Sequence, residues 1–337
     1  MALPKIAING FGRIGRTIMR IAKLRKHYDV VAVNDLASPD QLAYAFKYDS
    51  THGVFPGEVS FDGDRFKMLS ERDPTKLPWE ELGVDYVIES SGAFRHLVDL
   101  QKHIDGGAKR VVLTVPCKDP LDATLVSGVN DHVVTPSSTI ISNASCTTNC
   151  AAPLTKVLHD SFGIRRGLLT TVHAYTSGQR LIDSPHASDK RRSRNAATNI
   201  VPTSTGAAKA IGLVMPELAG KLDGLAMRVP IPDGSIVDLV LELDSDVTVE
   251  SINAAMQAAA LGPMQGILQY SVDEIVSSDI IGNFHSSIFD SLLIKVMEDR
   301  MVKVVIWYDN ELGYSIRIEE LIQSLAKMDG IVWLLNS

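Results

Sequence analysis

The sequence predicts a two-domain α/β protein, and three observations predict it. Short apolar runs alternate with helical spacing through the first stretch of the chain, the pattern of a parallel sheet covered by helices on both faces. The first of these runs leads straight into a glycine-rich turn, Asn9-Gly10-Phe11-Gly12-Arg13-Ile14-Gly15-Arg16. Near Asn143 the character changes, and Ser235 to Asp244 alternates apolar and polar residues, as a half-buried strand in a sheet with antiparallel pairs does. A chain of 337 residues also suits two domains at about 150 residues each.

In order along the chain, Lys5-Ile6-Ala7-Ile8 reads as a buried strand and Arg16 to Arg25 as a helix with Ile18, Ile21, Ala22 and Leu24 at helical spacing. Val30-Val31-Ala32-Val33, Tyr86-Val87-Ile88 and Arg110 to Thr114 are further strands. The segment from Asp49 to Pro78, rich in Gly, Asp and Pro, has room for hairpins inserted in this scheme. Thr148 to Phe162 reads as a helix closed by Gly163, and Leu168 to Ala174 as a strand. In the alternating segment Val237, Leu239, Leu241 and Leu243 share one face, while Asp238, Glu242 and Asp244 share the other. Thr248 caps a helix that carries Ile252, Ala255, Met256 and Ala259 on one stripe and stops at Gly262. Lys303 to Tyr308 is another strand and Glu319 to Met328 a last helix.

Composition narrows the function. Hydrophobic residues make up 45% and charged residues 22%, ample for large cores and unlike a disordered chain. No apolar run approaches the roughly 18–20 residues of a membrane span. Met1-Ala2-Leu3-Pro4-Lys5 lacks the basic start and long apolar stretch of a secretion signal. Three cysteines leave no full disulfide framework, so a reducing, cytoplasmic setting is expected. Against 33 Lys plus Arg stand 40 Asp plus Glu, a balance that disfavours bulk nucleic-acid binding.

Gly10, Gly12 and Gly15 satisfy Gly-x-Gly-x-x-Gly between a strand and a helix, where such glycines allow a tight turn, close approach to a pyrophosphate and tight helix packing. The helix N-terminus then offers N–H groups and partial positive charge to phosphates. A second strand ends at Asn34-Asp35, twenty residues past Gly15. A carboxylate there accepts from ribose hydroxyls and repels a 2′-phosphate, which favours NAD over NADP.

The second motif is Asn143-Ala144-Ser145-Cys146-Thr147-Thr148-Asn149-Cys150. The first turn of a helix stabilises a thiolate, and Cys146 precedes the helix, flanked by small polar residues that leave room for a substrate. Cys150, one turn on beside Ala151, Ala152 and Leu154, reads as buried. Cys-x-x-x-Cys without a second pair is poor metal spacing, so no metal is assigned, and Cys117 is left structural. Among nine histidines, His173 ends an apolar strand and opens a polar segment, a suitable place for a general base. Spacing alone does not bring it to Cys146.

Together with those two motifs, His173-Ala174-Tyr175-Thr176, Thr203-Ser204-Thr205-Gly206-Ala207-Ala208-Lys209, Met227-Arg228-Val229-Pro230 and Trp307-Tyr308-Asp309-Asn310-Glu311 closely resemble the phosphorylating glyceraldehyde-3-phosphate dehydrogenases, in the family's order and over nearly the whole chain. The resemblance implies a Rossmann NAD-binding domain at 1–145, completed by a C-terminal helix at 310–337, and an α+β catalytic domain at 146–309 with a mixed, largely antiparallel sheet. It implies a homotetramer that oxidises glyceraldehyde 3-phosphate with NAD and inorganic phosphate to 1,3-bisphosphoglycerate, through a hemithioacetal and a thioester. Cys146 is then the nucleophile and His173 the base. Thr176 and Arg228 serve the substrate phosphate; Ser145, Thr147, Thr205 and the Gly206 N–H serve the attacking phosphate; Arg192 serves either. Around NAD the resemblance places Gly10, Gly12, Arg13, Ile14, Gly15 and Asp35, with Arg72, Ser91 and Gly92 near the adenosine. Thr114, Asn310 and Tyr314 belong near the nicotinamide.

Three segments depart from the family pattern. Ser177-Gly178-Gln179 stands where Asn-Asp-Gln is common, Asp183-Ser184-Pro185-His186 where Asp-Leu-Pro-His is, and Pro232-Asp233-Gly234-Ser235 where Pro-Asn-Val-Ser is. The first two bear on cofactor affinity and NAD/NADP discrimination, the third on a subunit contact. Two other functions share this pattern: erythrose-4-phosphate dehydrogenase, and a non-catalytic NAD- or RNA-binding protein. Thr176, Thr205-Gly206 and Ala207-Ala208-Lys209 favour the glyceraldehyde enzyme over the first, and intact Cys146 and His173 argue against the second. The basic run Lys190-Arg191-Arg192-Ser193-Arg194 reads as a loop lining anion sites rather than a nucleic-acid patch.

Overall fold

The computed structural model describes residues 3–57, 59 and 66–331. They form two compact units: one runs to Leu125 and takes in His132–Ser145 and the chain from Ser315 on, and the other comprises Val126–Asp131 and Cys146–Tyr314.

The first unit contains β1 (Lys5–Asn9), α1 (Arg13–Arg25), β2 (Asp29–Asn34), α2 (Pro39–Lys47), β3 (Lys67–Leu69), β4 (Tyr86–Glu89), α3 (Leu97–Asp105), β5 (Arg110–Leu113), β6 (Ala123–Thr124) and β7 (Ile140–Ser142). Its seven strands lie in the order β3-β2-β1-β4-β5-β7-β6, and every pairing is parallel. This is the Rossmann arrangement. Buried on both faces, such strands become continuous apolar runs, and Ile6, Ala7, Ile8, Val87, Ile88, Val111 and Val112 have no exposed surface. Leu77, Trp79, Val84, Leu100, Leu113 and Ile140 pack in the same core. Strand order reverses between β1 and β4, and open parallel sheets bind ligands at the carboxyl ends of the strands at such a switch point.

Between Asp49 and Pro78 hairpins were expected. Among the described residues there, β3 instead adds to β2 in parallel, followed by a single helical turn at Pro74–Lys76; residues 58 and 60–65 lie outside the described part. α2 begins with a reciprocal cap between Ser38 and Gln41 and with Pro39 in its first turn, which suits a helix start.

The second unit contains α4 (Cys146–Phe162), β8 (Ile164–Ala174), β9 (Val201–Ser204), α5 (Ala207–Val214), β10 (Leu222–Val229), β11 (Ser235–Leu243), α6 (Val249–Leu261), β12 (Leu268–Ser271), β13 (Ser287–Asp290), β14 (Lys295–Met297) and β15 (Met301–Tyr308). Its main path is β12-β13-β15-β11-β8-β10-β9, with β14 on β15. β8–β10 and β12–β13 are parallel and the other pairs antiparallel, so the sheet is mixed and largely antiparallel. Alternation along β11 is as the sequence predicts, with Val237, Leu239, Leu241 and Leu243 buried. Thr248 caps α6 in a reciprocal pair with Ser251, and Gly163 closes α4 with φ +68°.

α7 (Leu312–Met328) starts seven residues earlier than the periodicity indicated. The Asp309 carboxylate accepts from the N–H groups of Glu311 and Leu312, which holds the first turn despite Gly313 and Ser315. The apolar ending at 332–337 lies outside the described residues.

Candidate active site

The glycine turn occupies the switch point. Gly10 has φ +95°, and a Cβ on it would sit 2.4 Å from Ser91 Cα. At Gly15 a Cβ would sit 2.3 Å from Gly10 O. Gly12 differs, because a Cβ there would meet nothing within 4 Å; the space in front of it is left for a ligand. α1 starts immediately after Gly12 with no acidic residue in its first turn, so its N–H groups favour an anion without opposition from the helix's own side chains. Asp35, half-buried, accepts from Phe11 N at 2.8 Å and from Ala37 N at 3.0 Å, which fixes its carboxylate beside the turn. These residues fit a dinucleotide.

Below the turn lies a buried polar chain. Asn34 Nδ2 donates to Asn9 Oδ1, 2.7 Å, and Asn9 Nδ2 donates to Glu89. Glu89 also accepts from Ser91 N at 2.8 Å, and His103 Nε2 lies 3.3 Å from its Oε2. Trp79 Nε1 donates to His103 Nδ1 at 3.0 Å, so the remaining ring proton sits on Nε2 and points to the carboxylate. With its donors supplied, this buried carboxylate clamps Ser91 against Gly10. Gly10→Ala is therefore expected to cost roughly 2–5 kcal/mol through backbone strain and overpacking and to abolish NAD binding. Thermal unfolding and an NAD titration check this; wild-type affinity in the alanine variant would reject the fit.

The remaining cofactor candidates divide between the units. Arg13 turns its guanidinium to Asp49; burial pushes that carboxyl up, but the His52 and Thr51 N–H groups and Arg13 outweigh it and hold it at about 2. The main-chain N–H of Arg13 and of Ile14 remain at the helix start. Arg72, Ser91 and Gly92 are exposed, and Thr114 caps the sheet, donating from N and Oγ1 to Glu89 O. Asn310 and Tyr314 are buried in the second unit.

In the second unit the sheet brings the chemistry together. Chain entry to α4 is strained at Ala144, φ +52°, a conformation that costs an L-residue about 1–3 kcal/mol and recurs at functional sites. Cys146 is the first residue of α4 and is partly exposed, whereas Cys150 is fully buried. His173 stands at the penultimate position of β8, and its Nε2 lies 3.5 Å from Cys146 Sγ. β10 pairs in register so that Arg228 lies directly opposite His173. His173 Nδ1 is 2.7 Å from Ala174 O and 2.6 Å from Arg228 Nη1. Those neighbours want opposite tautomers, since a carbonyl needs a proton on Nδ1 and a guanidinium needs a lone pair there.

Electrostatics keep the pair neutral. Burial, and then the Arg228 charge, lower the His173 pKa to about 3. Desolvation raises the Cys146 thiol above its ordinary value, although Arg228 and Thr147 pull it down. The helix start alone predicted a stabilised thiolate; here desolvation outweighs it.

The anion-binding candidates lie as follows. Ser145 is half-buried, and Thr147 Oγ1 is 2.9 Å from Tyr308 OH. Thr176 is exposed, and a Cβ on Gly178 would lie 3.8 Å from Thr176 Oγ1 and 4.0 Å from Arg192 Nη1. Arg192 is close enough to Arg228 to lower its pKa, behind the larger effect of burial. Thr205 Oγ1 accepts from Ala207 N at 3.2 Å, and Gly206 precedes α5 with open space at its Cβ, a helix start suited to a phosphate.

Three residues escaped the sequence reading. Tyr308 packs edge-on against the His173 ring, centroids 5.8 Å apart, and its OH is also 3.0 Å from Thr171 Oγ1. Asp233 and Ser235 are buried. Asp233 Oδ1 accepts from Asn310 N at 3.2 Å; burial, with Asp309 and Glu311 beside it, pushes its carboxyl well above the usual range. Ser235 Oγ contacts the Asn310 side chain. Only the β11–β15 register, Ser235 opposite Tyr308, reveals these contacts.

A Rossmann unit, and a thiol–imidazole pair on a mixed sheet, are the parts of a nicotinamide-dependent oxidoreductase. Residues 4–97 match the family described as glyceraldehyde 3-phosphate dehydrogenase, NAD binding domain, and residues 145–310 match glyceraldehyde 3-phosphate dehydrogenase, C-terminal domain. Over 337 residues the chain is 55% identical to a glyceraldehyde-3-phosphate dehydrogenase of Borreliella burgdorferi, covering 96% of this chain and 100% of that one. It is 52% identical over 331 residues to glyceraldehyde-3-phosphate dehydrogenase 1 of Bacillus subtilis, covering 96% and 98%. Against glyceraldehyde-3-phosphate dehydrogenase 1 of Saccharomyces cerevisiae the figures are 51% over 331 residues, 96% and 99%. The chain belongs to the glyceraldehyde-3-phosphate dehydrogenase family.

Proposed function

We propose that the chain catalyses the phosphorylating oxidation of glyceraldehyde 3-phosphate, a glycolytic step, with NAD as cofactor and with Cys146 and His173 as its catalytic residues. The single observation that carries the assignment of the chemistry is the 3.5 Å contact between Cys146 Sγ and His173 Nε2. An aldehyde carbon cannot lose hydride until a nucleophile has added, and a thiolate both adds well and leaves well. Bound NAD supplies the hydride acceptor; Gly10, Gly12, Gly15, the α1 N-terminus and Asp35 would hold its pyrophosphate and ribose. Arg13, Ile14, Arg72, Ser91, Gly92 and Thr114 complete that set, with Asn310 and Tyr314 at the nicotinamide.

His173 takes the Cys146 proton as sulfur adds to the aldehyde, hands it to the alkoxide oxygen so formed, and takes it back from the hemithioacetal hydroxyl as hydride leaves. For this Nε2 needs its lone pair, which the Nδ1–H tautomer bonded to Ala174 O provides. A substrate phosphate on Arg228 and Thr176 draws the guanidinium off Nδ1 and favours that tautomer. Once hydride has left, the carbon is a thioester on Cys146. Inorganic phosphate, held by Ser145, Thr147, Thr205 and Gly206 N–H with Arg192 near, attacks it and releases the acyl phosphate and the thiolate.

An NADH-absorbance assay with NAD or NADP, each with and without phosphate or arsenate, tests this. Turnover that requires NAD and either anion is expected. Steady turnover without either anion would contradict the thioester.

We infer further that the enzyme is a homotetramer in the cytoplasm. Leu168, Leu181, Ile182, Ile200 and Leu213 are largely exposed in the single chain, which suits burial against other copies, and all three cysteines are free thiols. Among the described residues no helix is long and apolar enough to cross a membrane. Light scattering at micromolar concentration reads the assembly directly; a monomer would contradict it.

A further inference from the structure

Ser235 opens β11 and has no exposed surface. Its Oγ accepts from Ala174 N at 3.0 Å and lies 2.6 Å from Asn310 Oδ1. A serine hydroxyl has one proton to give. The Ala174 amide only donates, so that proton needs an acceptor, and among the described residues the Asn310 side chain is the one in reach. Asn310 must then turn its oxygen toward Ser235 and both Nδ2 protons away from it. Asp233 holds the same residue from behind through its backbone N–H, 3.2 Å. Ala174 carries the other end of the line, since its carbonyl orients His173.

We propose that Ser235 is a positioning residue that fixes the amide of Asn310 with only donors on offer, so that the chain selects the carbonyl oxygen of the nicotinamide carboxamide. This rests on the reading above that Asn310 serves the nicotinamide. Without the Ser235 hydroxyl the amide flips freely and the Asn310 oxygen repels that carbonyl half the time. One neutral hydrogen bond is worth about 0.5–1.5 kcal/mol, or roughly 2- to 13-fold in the ratio of the two amide orientations.

The test is equilibrium titration of the intact enzyme with three probes: NAD, its thionicotinamide analogue, whose C=S is a poor acceptor, and ADP-ribose, which has no nicotinamide. Wild type should bind NAD more tightly than the thio analogue. In Ser235→Ala the NAD affinity falls by up to about 2-fold, because an amide flipped half the time halves the competent population, the gap to the thio analogue narrows by the same factor, and ADP-ribose binding is unchanged. Ser235→Thr, which keeps the hydroxyl, retains the gap; Ser235→Cys, a feeble donor, narrows it and replaces the alanine variant should that one not fold. An unchanged gap in the folded hydroxyl-free variant overturns the proposal. An Asn310→Ala arm separates the two levels: if NAD still outbinds the thio analogue there by the wild-type factor, the placement of Asn310 at the nicotinamide fails as well.

Discussion

Cys146→Ala abolishes the burst of NADH and lowers turnover by roughly 10⁴- to 10⁶-fold, the scale at which removing a covalent nucleophile acts, while NAD binding stays at the wild-type level. The reason lies in where each part of the site is built. The glycine turn, α1 and Asp35 belong to the first unit, and Cys146 to the second. Cys146 is partly exposed at the start of α4, so alanine there removes little apolar packing, and Thr147 Oγ1 keeps its contact with Tyr308 OH. Alanine therefore removes chemistry and spares the fold. Stopped-flow absorbance with NAD and glyceraldehyde 3-phosphate, beside an NAD titration, measures both halves. A near-normal burst would remove Cys146 from the mechanism.

His173→Ala lowers the acylation rate by about 10²- to 10⁴-fold, the usual range for a general base. Combining it with Cys146→Ala adds almost nothing to the single cysteine variant, because the two groups act as a unit. The pH dependence of the free enzyme follows from the charges. With His173 held at about 3 by burial first and Arg228 second, the imidazole stays neutral through pH 5–8 and adds no titration there. The Cys146 thiol is raised, chiefly by desolvation, so the thiolate fraction grows as pH rises toward the alkaline range. Alkylation of Cys146 by iodoacetamide should accordingly accelerate with pH above neutrality and show no inflection near pH 6–7. A plateau reached by pH 6 would mean that an ion pair already exists before substrate arrives.

Much of this was legible because the chemistry-bearing residues sit at element ends, where local sequence speaks most clearly. Gly10 and Gly15 are forced by close backbone approach, Gly12 keeps the space before α1 open, and the three show as a motif; Thr248, Gly163 and Gly262 punctuate helices for equally local reasons. The alternation of β11 predicted its buried face because one side of that strand packs and the other does not. What stayed hidden depends on register. That Arg228 faces His173, or that Ser235 faces Tyr308, is decided by how β8 pairs with β10 and β11 with β15, and a one-residue slip would break either. The start of α7 was missed for a related reason: its cap is the Asp309 side chain, while Gly313 and Ser315 weaken the helical signal. The neutral state of the pair also could not be read from spacing, since it comes from burial assembled by distant segments.

The central claim, that oxidation leaves the acyl group on one particular sulfur, is tested most directly by trapping. Enzyme is mixed with NAD and glyceraldehyde 3-phosphate in the absence of inorganic phosphate and arsenate, quenched in acid, digested and weighed peptide by peptide. One 3-phosphoglyceroyl group is expected, placed on Cys146 by fragmentation of the peptide that carries both Cys146 and Cys150, and absent when phosphate is included. NADH formed in that first turnover with Cys146 unmodified, or with the acyl group on Cys117 or Cys150, would contradict it.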